Sequence, residues 1–329
     1  MMMTSTGVFG DVIDPSVRAL FSVASEDQAS ELYYGNFGLT DYEPDVPSEV
    51  LSDLSGPTKA GLAGEGQEYT VVTKIKGYPV TLKMRKYTSK LQYTEEDAHW
   101  LAKSASSKRL TEIKEAVSDA VNSLNQRINE DACKVFYLGF GSTFLTVGNS
   151  EALFGSHNIK IDGSSQKNTF PTGDTHRAFG ATALTEAISI INRFKLHNGN
   201  QVLRAKGLKL IVATELAATA FQTIDSMYGP TSANLGLQTG SAAALARRGM
   251  NIDVTVGYDI PYAYRNYWFL SVTERAAKRA FIAWAWKPRL NSENEYHNGS
   301  MYMTGSTLFG PVVKGWQWAF GSKGDATAS

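Results

Sequence analysis

Apolar and polar positions along this chain change period between Tyr69 and Phe136. From Tyr69 to Ile75 the residues alternate as a strand does, and Val80 to Arg85 alternates again, with Val80, Leu82 and Met84 on one face. Gly77-Tyr78-Pro79 lies between the two runs and supplies turn residues, so the pattern predicts a β-hairpin. Thr94 fits a helix N-cap ahead of Glu95, Glu96 and Asp97, whose carboxylates suit the positive end of a helix dipole. Leu110, Ile113, Val117, Val121, Leu124, Ile128 and Val135 then recur at spacings of three, four and seven, the stripe of an amphipathic helix. A single helix over Glu95–Phe136 would run roughly 60 Å, too long for one compact domain to wrap. Ser104 to Lys108 is the natural place for a break. A protruding hairpin with no core of its own, set on a long spine, predicts a subunit completed by its neighbours.

Before the hairpin, sustained periodicity is confined to Pro15–Ala24, a short helix with Val17, Leu20 and Phe21 on one face. Tyr42 to Gly66 is rich in Pro, Gly, Ser and acid and predicts an extended arm, held by an adjacent subunit. After the spine the pattern predicts helices over Thr182–Lys195 and Thr214–Met227. Strands are expected over Gly207–Ala213, Ile252–Val256, Tyr267–Val272, Ser300–Thr304 and Val312–Phe320, with a turn at Asn198-Gly199 and a loop over Tyr228–Gly240. Glu274 to Lys287 is an apolar run ending at Pro288. The mixture lacks a regular βαβ rhythm, so the fold class is α+β.

Charge changes this picture more than composition does. The 329 residues are 43% hydrophobic and 19% charged, ordinary for a globular protein, and the net charge is zero. Cys133 is the single cysteine, which excludes intrachain disulfides. No run approaches the ~20 apolar residues of a membrane span. Yet residues 1–66 hold eleven acidic side chains against Arg18 and Lys59, whereas Tyr69–Thr94 holds six basic residues and no acidic one. The hairpin cations are Lys74, Lys76, Lys83, Arg85, Lys86 and Lys90; the acids that crowd the arm are Asp41, Glu43, Asp45, Glu49 and Asp53. Opposite signs predict attraction, within one chain or between chains.

The search for catalytic chemistry yields little. The glycines of Gly139–Gly148 lack the Gly-Lys-[Ser/Thr] ending of a phosphate loop, and they follow a helix. They predict a hinge, with Gly139 and Gly141 as its pivots. There is no Gly-x-Ser-x-Gly elbow. His99, His157, His176, His197 and His297 show no metal-ligand spacing; Asp162, Asp174 and His176 with His157 form the one metal constellation to consider, and as polar-loop residues they are expected to be solvated. Trp284, Trp286, Trp316 and Trp318 form two Trp-x-Trp pairs, which in a strand share one face and pack. No catalytic residue, metal or cofactor is expected.

The order of elements resembles the major capsid protein of tailed bacteriophages, the Johnson fold. The matching features are the acidic arm, the basic hairpin, the long spine, and Leu153-Phe154-Gly155-Ser156-His157 before a polar loop. They continue with Gly207 to Leu216, Tyr267 to Glu274, the run ending at Lys287-Pro288, and Gly315 to Phe320, together spanning about residues 25–320. The resemblance implies an N-terminal arm over 1–66, an extended β-hairpin loop over 67–94, and a peripheral domain with the spine helix over 95–179. It further implies an axial domain over 180–265, with its tip near Tyr228–Gly240, and the rest of the peripheral domain with the C-terminal strands over 266–329. It implies self-assembly as hexamers and pentamers into an icosahedral head around phage DNA, made in the host cytoplasm, with no membrane involved. In such a shell the hairpin would lie over an adjacent subunit and meet acidic groups there, the arm among them. No long charged helix precedes the arm, which implies a separate scaffolding protein, with a portal and a decoration protein as further partners. Contact with DNA would be weak and non-specific, because net charge is zero. An encapsulin-like nanocompartment shell is the alternative, and a hydrolase with a loop His/Asp site a distant one. The Lys–Asn cross-link of some relatives matches no position here.

Overall fold

A computed structural model describes Ala24 and residues 32–46, 48–55, 75–93, 107–171, 176–202, 204–228, 251–295 and 300–324. The first expected strand up to Lys74, the Thr94 cap, the Pro15–Ala24 helix apart from Ala24, and His99, Asp174, His297 and the loop from 229 to 240 lie outside the described residues. The chain opens with β1 (Thr40–Tyr42), β2 (Val50–Ser55), β3 (Ile75–Thr81) and β4 (Arg85–Tyr93), followed by the helix α1 (Ser107–Tyr137). Next come β5 (Ser156–Asn158), β6 (Ser165–Lys167), α2 (Ala181–Asn192), β7 (Gly207–Ala213), α3 (Thr214–Tyr228) and β8 (Asn251–Gly257). The chain closes with β9 (Trp268–Val272), α4 (Thr273–Arg279), β10 (Ala280–Glu295), β11 (Ser300–Val313) and β12 (Ala319–Ser322).

Helix α1 is the spine, 31 residues long and about 46 Å from end to end. Its described start falls within the Ser104–Lys108 stretch. Val117, Val121, Leu124, Ile128 and Val135 are all buried, so the predicted stripe is the packed face. It lies against a four-stranded sheet of order β1-β10-β11-β4. The tie to β4 is chemical as well as apolar: Tyr87 donates to the buried Asp131 carboxylate at 2.6 Å.

Two hairpin expectations are corrected. Gly77-Tyr78-Pro79 is not a turn but lies inside β3, and residues 82–84 join that strand to β4. Gly77 is needed for close approach: a Cβ there would sit 3.0 Å from the Asp53 carbonyl oxygen and from the His197 ring. Pro79 is tolerated because β3 belongs to a two-stranded ribbon, where a missing N–H breaks no central ladder. Nor do β3 and β4 pair with each other: β3 pairs with β2 of the arm and β4 with β11. The arm between residues 40 and 55 is therefore held by its own chain, β1 running parallel to β10 and β2 antiparallel to β3. Leu51, Val80, Leu82, Ala283 and Val312 give this region a small core of its own.

The run from Glu274 divides. A short helix, α4, gives way at Ala280 to β10, which continues through Pro288 because the register with β11 is irregular between Trp284 and Arg289. The second Trp-x-Trp pair is not in a strand: Trp316 and Trp318 sit in the turn between β11 and β12, both buried. The second sheet, of order β12-β9-β7-β8, is mixed, and every residue of β9 is buried. It joins β7 and β8 to β9 and β12, so one continuous sheet crosses the boundary expected at 265/266. The Asn198-Gly199 turn forms with Gly199 at φ +78° and brings Lys195 opposite Gln201.

The segment joining β3 to β4 rests on Gly310 of β11, where a Cβ would fall 2.2 Å from the Lys83 carbonyl oxygen. Gly310→Ala should therefore lower stability by about 1–3 kcal/mol. Gly141→Ala, which meets only the Leu138 carbonyl oxygen at 3.8 Å, should stay within about 0.5 kcal/mol. Denaturant midpoints of the two variants check the contrast.

Candidate intersubunit surface

Strand β4 sorts its side chains by the period of two. Tyr87 and Ser89 turn toward the spine and are half-buried, whereas Lys86, Thr88 and Lys90 stand on the opposite face in solvent. Lys76, Lys83 and Arg85 are exposed as well, so all five described cations of the basic strip over residues 76–90 reach solvent, Arg85 on the Tyr87 side of β4 and Lys86 and Lys90 on the other; Lys74 lies outside the described residues. Arg85 is steadied by the Phe144 ring, 4.9 Å from its guanidinium carbon. The Lys83 backbone lies close against Gly310 of β11.

The arm acids divide into two groups. Asp53 is buried and pairs with Arg279 Nε at 3.1 Å, tying β2 to the end of α4. Asp41 accepts from Tyr34 at 2.6 Å and from the Trp284 indole at 2.9 Å, and pairs with Lys287 at 3.3 Å. Burial pushes the Asp41 carboxyl up, but these donors outweigh it and hold it below the usual range. Glu49 accepts from Tyr42 at 2.7 Å; burial, then that carboxylate, pushes the Tyr42 phenol up to about 12. Asp41 and Asp53 thus find their basic partners, Lys287 and Arg279, within the chain and far from the hairpin in sequence. Glu43 and Asp45 are exposed.

The other expected sites change character. Gly139 is packed, not free: a Cβ there would lie 2.6 Å from the Val135 carbonyl oxygen and 2.9 Å from the Phe154 ring. Gly141 is exposed. His157 is not solvated but fully buried, stacked on Trp316 and bonded to Glu151. Asp162 instead accepts from Ser164 at the surface, and His176 is exposed. Among the described residues no group of His, Cys, Asp or Glu is arranged to hold a metal ion. Cys133 is buried, and burial foremost pushes its thiol up to about 12, which leaves it inert as a nucleophile. No described helix is long and apolar enough to cross a membrane.

A network missed by sequence pattern pins the arm to the spine. Tyr33 donates to Asp259 through its hydroxyl and receives the Asp259 backbone N–H at 3.1 Å, while its own N–H donates to Asn129 of α1 at 3.2 Å. Tyr33 and Asp259 stand 226 residues apart, and no local spacing signals such a pair.

No protein-family model and no curated protein sequence matches the chain. Solved structures do. One from Mycobacterium phage Patience is 13% identical with a TM-score of 0.51, over 95% of this chain and 89% of that one. The capsid of Myoviridae phage XM1 is 12% identical with a TM-score of 0.47, over 89% and 92%. The virus-like particle of Pyrococcus furiosus is 10% identical with a TM-score of 0.48, over 94% and 98%. The chain shares its fold with the Patience structure along nearly its whole length. That is the α+β Johnson fold of phage capsid proteins, the class expected from the order of elements.

The Asp53–Arg279 pair is the most consequential of the arm contacts because both side chains are nearly enclosed. Asp53→Ala should cost about 3 kcal/mol by leaving Arg279 without its carboxylate, whereas Glu43→Ala should cost less than about 0.5 kcal/mol. Chemical denaturation of the two variants separates the buried pair from the exposed acid.

Proposed function

We propose that this chain is the major capsid protein of a tailed bacteriophage, assembling as hexamers and pentamers into the icosahedral head of the virion. The observation that carries the proposal is the fold shared over 95% of the chain with the Patience structure. The exposed basic strip fits it: a surface of like charges suits contact with an oppositely charged neighbour. The hairpin lies over an adjacent subunit in this account, and Glu43 and Asp45 are the arm acids available to meet it. The spine and its sheet belong to the peripheral part of the subunit. Strands β7 and β8 with α2 and α3 belong to the axial part. Gly141 is the place for the small bend that distinguishes hexamer from pentamer, since Gly139 is locked in packing.

The subunit's role is structural, without catalysis or cofactor. A separate scaffolding protein and a portal serve assembly in the host cytoplasm, a decoration protein is a further partner, and packaged DNA is touched weakly. Large summed interfaces hold such a shell without disulfides, since permanent assemblies bury more than about 2,000 Å² per contact.

Sedimentation tests this. Full-length protein should run as capsomers or shells, and a well-behaved monomer at micromolar concentration would contradict the proposal. Reversing Lys83, Arg85 and Lys86 to Glu should abolish the fast-sedimenting species while leaving the melting temperature within about 2 °C, because exposed charges contribute little to folding. Normal assembly of that variant would remove the strip from the contact.

A further inference from the structure

Glu151, His157, Asn168 and Trp316 meet in a buried knot between the turn that follows α1 and the C-terminal segment. The His157 ring lies flat on the Trp316 indole, centroids 4.7 Å apart and planes 8° from parallel, which leaves its two nitrogens as its polar contacts. Nε2 faces two acceptors, the Leu153 carbonyl oxygen at 3.2 Å and Asn168 Oδ1 at 3.3 Å. The Asn168 amide is oriented by its other bonds: Nδ2 donates to Leu153 at 2.7 Å and Ala319 at 3.2 Å, while Oδ1 accepts from the Gly155 N–H at 2.8 Å. Nε2 therefore carries hydrogen. Nδ1 lies 2.9 Å from Glu151 Oε2. A neutral ring already protonated at Nε2 would press a lone pair at Nδ1 against a carboxylate oxygen, two acceptors in contact.

We infer that His157 Nδ1 and Glu151 Oε2 hold a proton between them, and that the knot closes fully only while this proton is present, which builds a pH-dependent joint into the subunit. The proton count is the same whether the imidazole or the carboxyl carries it. Burial, the largest influence, penalises a charged ring and holds the basicity of His157 taken alone below the usual histidine range, although Glu151, Asn168 and Leu153 work in the opposite direction. In the pair, however, release of the proton is what creates net charge. The pair is neutral with it and carries one negative charge without it, so burial favours keeping it. The charged groups beyond the pair gather around His197, which feels Asp53, Arg279, Lys160 and Glu151.

The sign follows from counting protons. In the unfolded chain His titrates near 6.5 and Glu near 4.3, so between those values both states hold one proton and the pair adds no pH dependence. Above about pH 6.5 the unfolded chain has released it and the folded knot has not, so stability falls as pH rises. The joint secures the Glu151–Asn168 segment to the C-terminal segment at Trp316 and Ala319, and it loosens in alkali.

Glu151→Gln tests this, because an amide N–H donates to Nδ1 at every pH. Melting temperatures of the full-length chain and the variant, in the same assembly state, would be compared at pH 6, 7.5 and 9. The wild-type value minus the variant value should decline by about 2 °C per pH unit over part of that range. A difference constant within about a degree would overturn the inference. If Glu151→Gln does not fold, Glu151→Ala serves in the same series, since it too removes the acceptor facing Nδ1. The same decline supports the shared proton and a constant difference overturns it.

Discussion

Everything in this subunit hangs on the last turn of the spine helix. Phe136 is fully buried, and its ring meets Phe37 of the arm at 5.5 Å, Phe269 of β9 at 5.6 Å and Trp318 of the C-terminal turn at 5.9 Å. Four segments far apart in sequence are thereby fixed to one point. The next residues continue the constraint: the Gly139 carbonyl accepts the Phe154 N–H at 2.8 Å, and Phe154 stacks on Phe269 at 5.3 Å. Aromatic pairs in edge and offset geometry add to their large buried area. This junction lets a helix about 46 Å long project from the second sheet without losing its orientation.

Electrostatics then divides the surface. Where an acid meets a base inside the chain it is enclosed and structural, as with Asp53 and Arg279. Lys86 and Lys90 of β4 are instead held out by the strand period, opposite the face that Tyr87 anchors to Asp131, while Arg85 is exposed on the Tyr87 side. The proton shared by His157 and Glu151 belongs to the first class, an interior interaction with its own dependence on pH.

Much of this was legible in the sequence, and the exceptions share a cause. The stripe from Val117 to Val135, the buried strand Gly207–Ala213, the helix from Thr214 and the Asn198-Gly199 turn all rest on local signals, and all form. The Gly77–Pro79 turn with the hairpin built on it, the solvated His157 and the Trp316/Trp318 strand do not, because distant residues overrule local propensity. Gly77 yields to Asp53 and His197, Pro79 is carried on an edge strand, and His157 is captured by Trp316. The intrachain partners of Asp41 and Asp53 lie 246 and 226 residues away. Local charge segregation could mark these acids as important but could not name Lys287 or Arg279.

The central claim is that this fold closes a shell with the basic strip of β4 lying against a neighbouring subunit. Electron cryomicroscopy of the assembled full-length protein tests it most directly. The account predicts an icosahedral reconstruction in which Lys83, Arg85 and Lys86 are covered by acidic groups of an adjacent copy. A closed shell with these three side chains facing open solvent, or no closed shell at all, would contradict it.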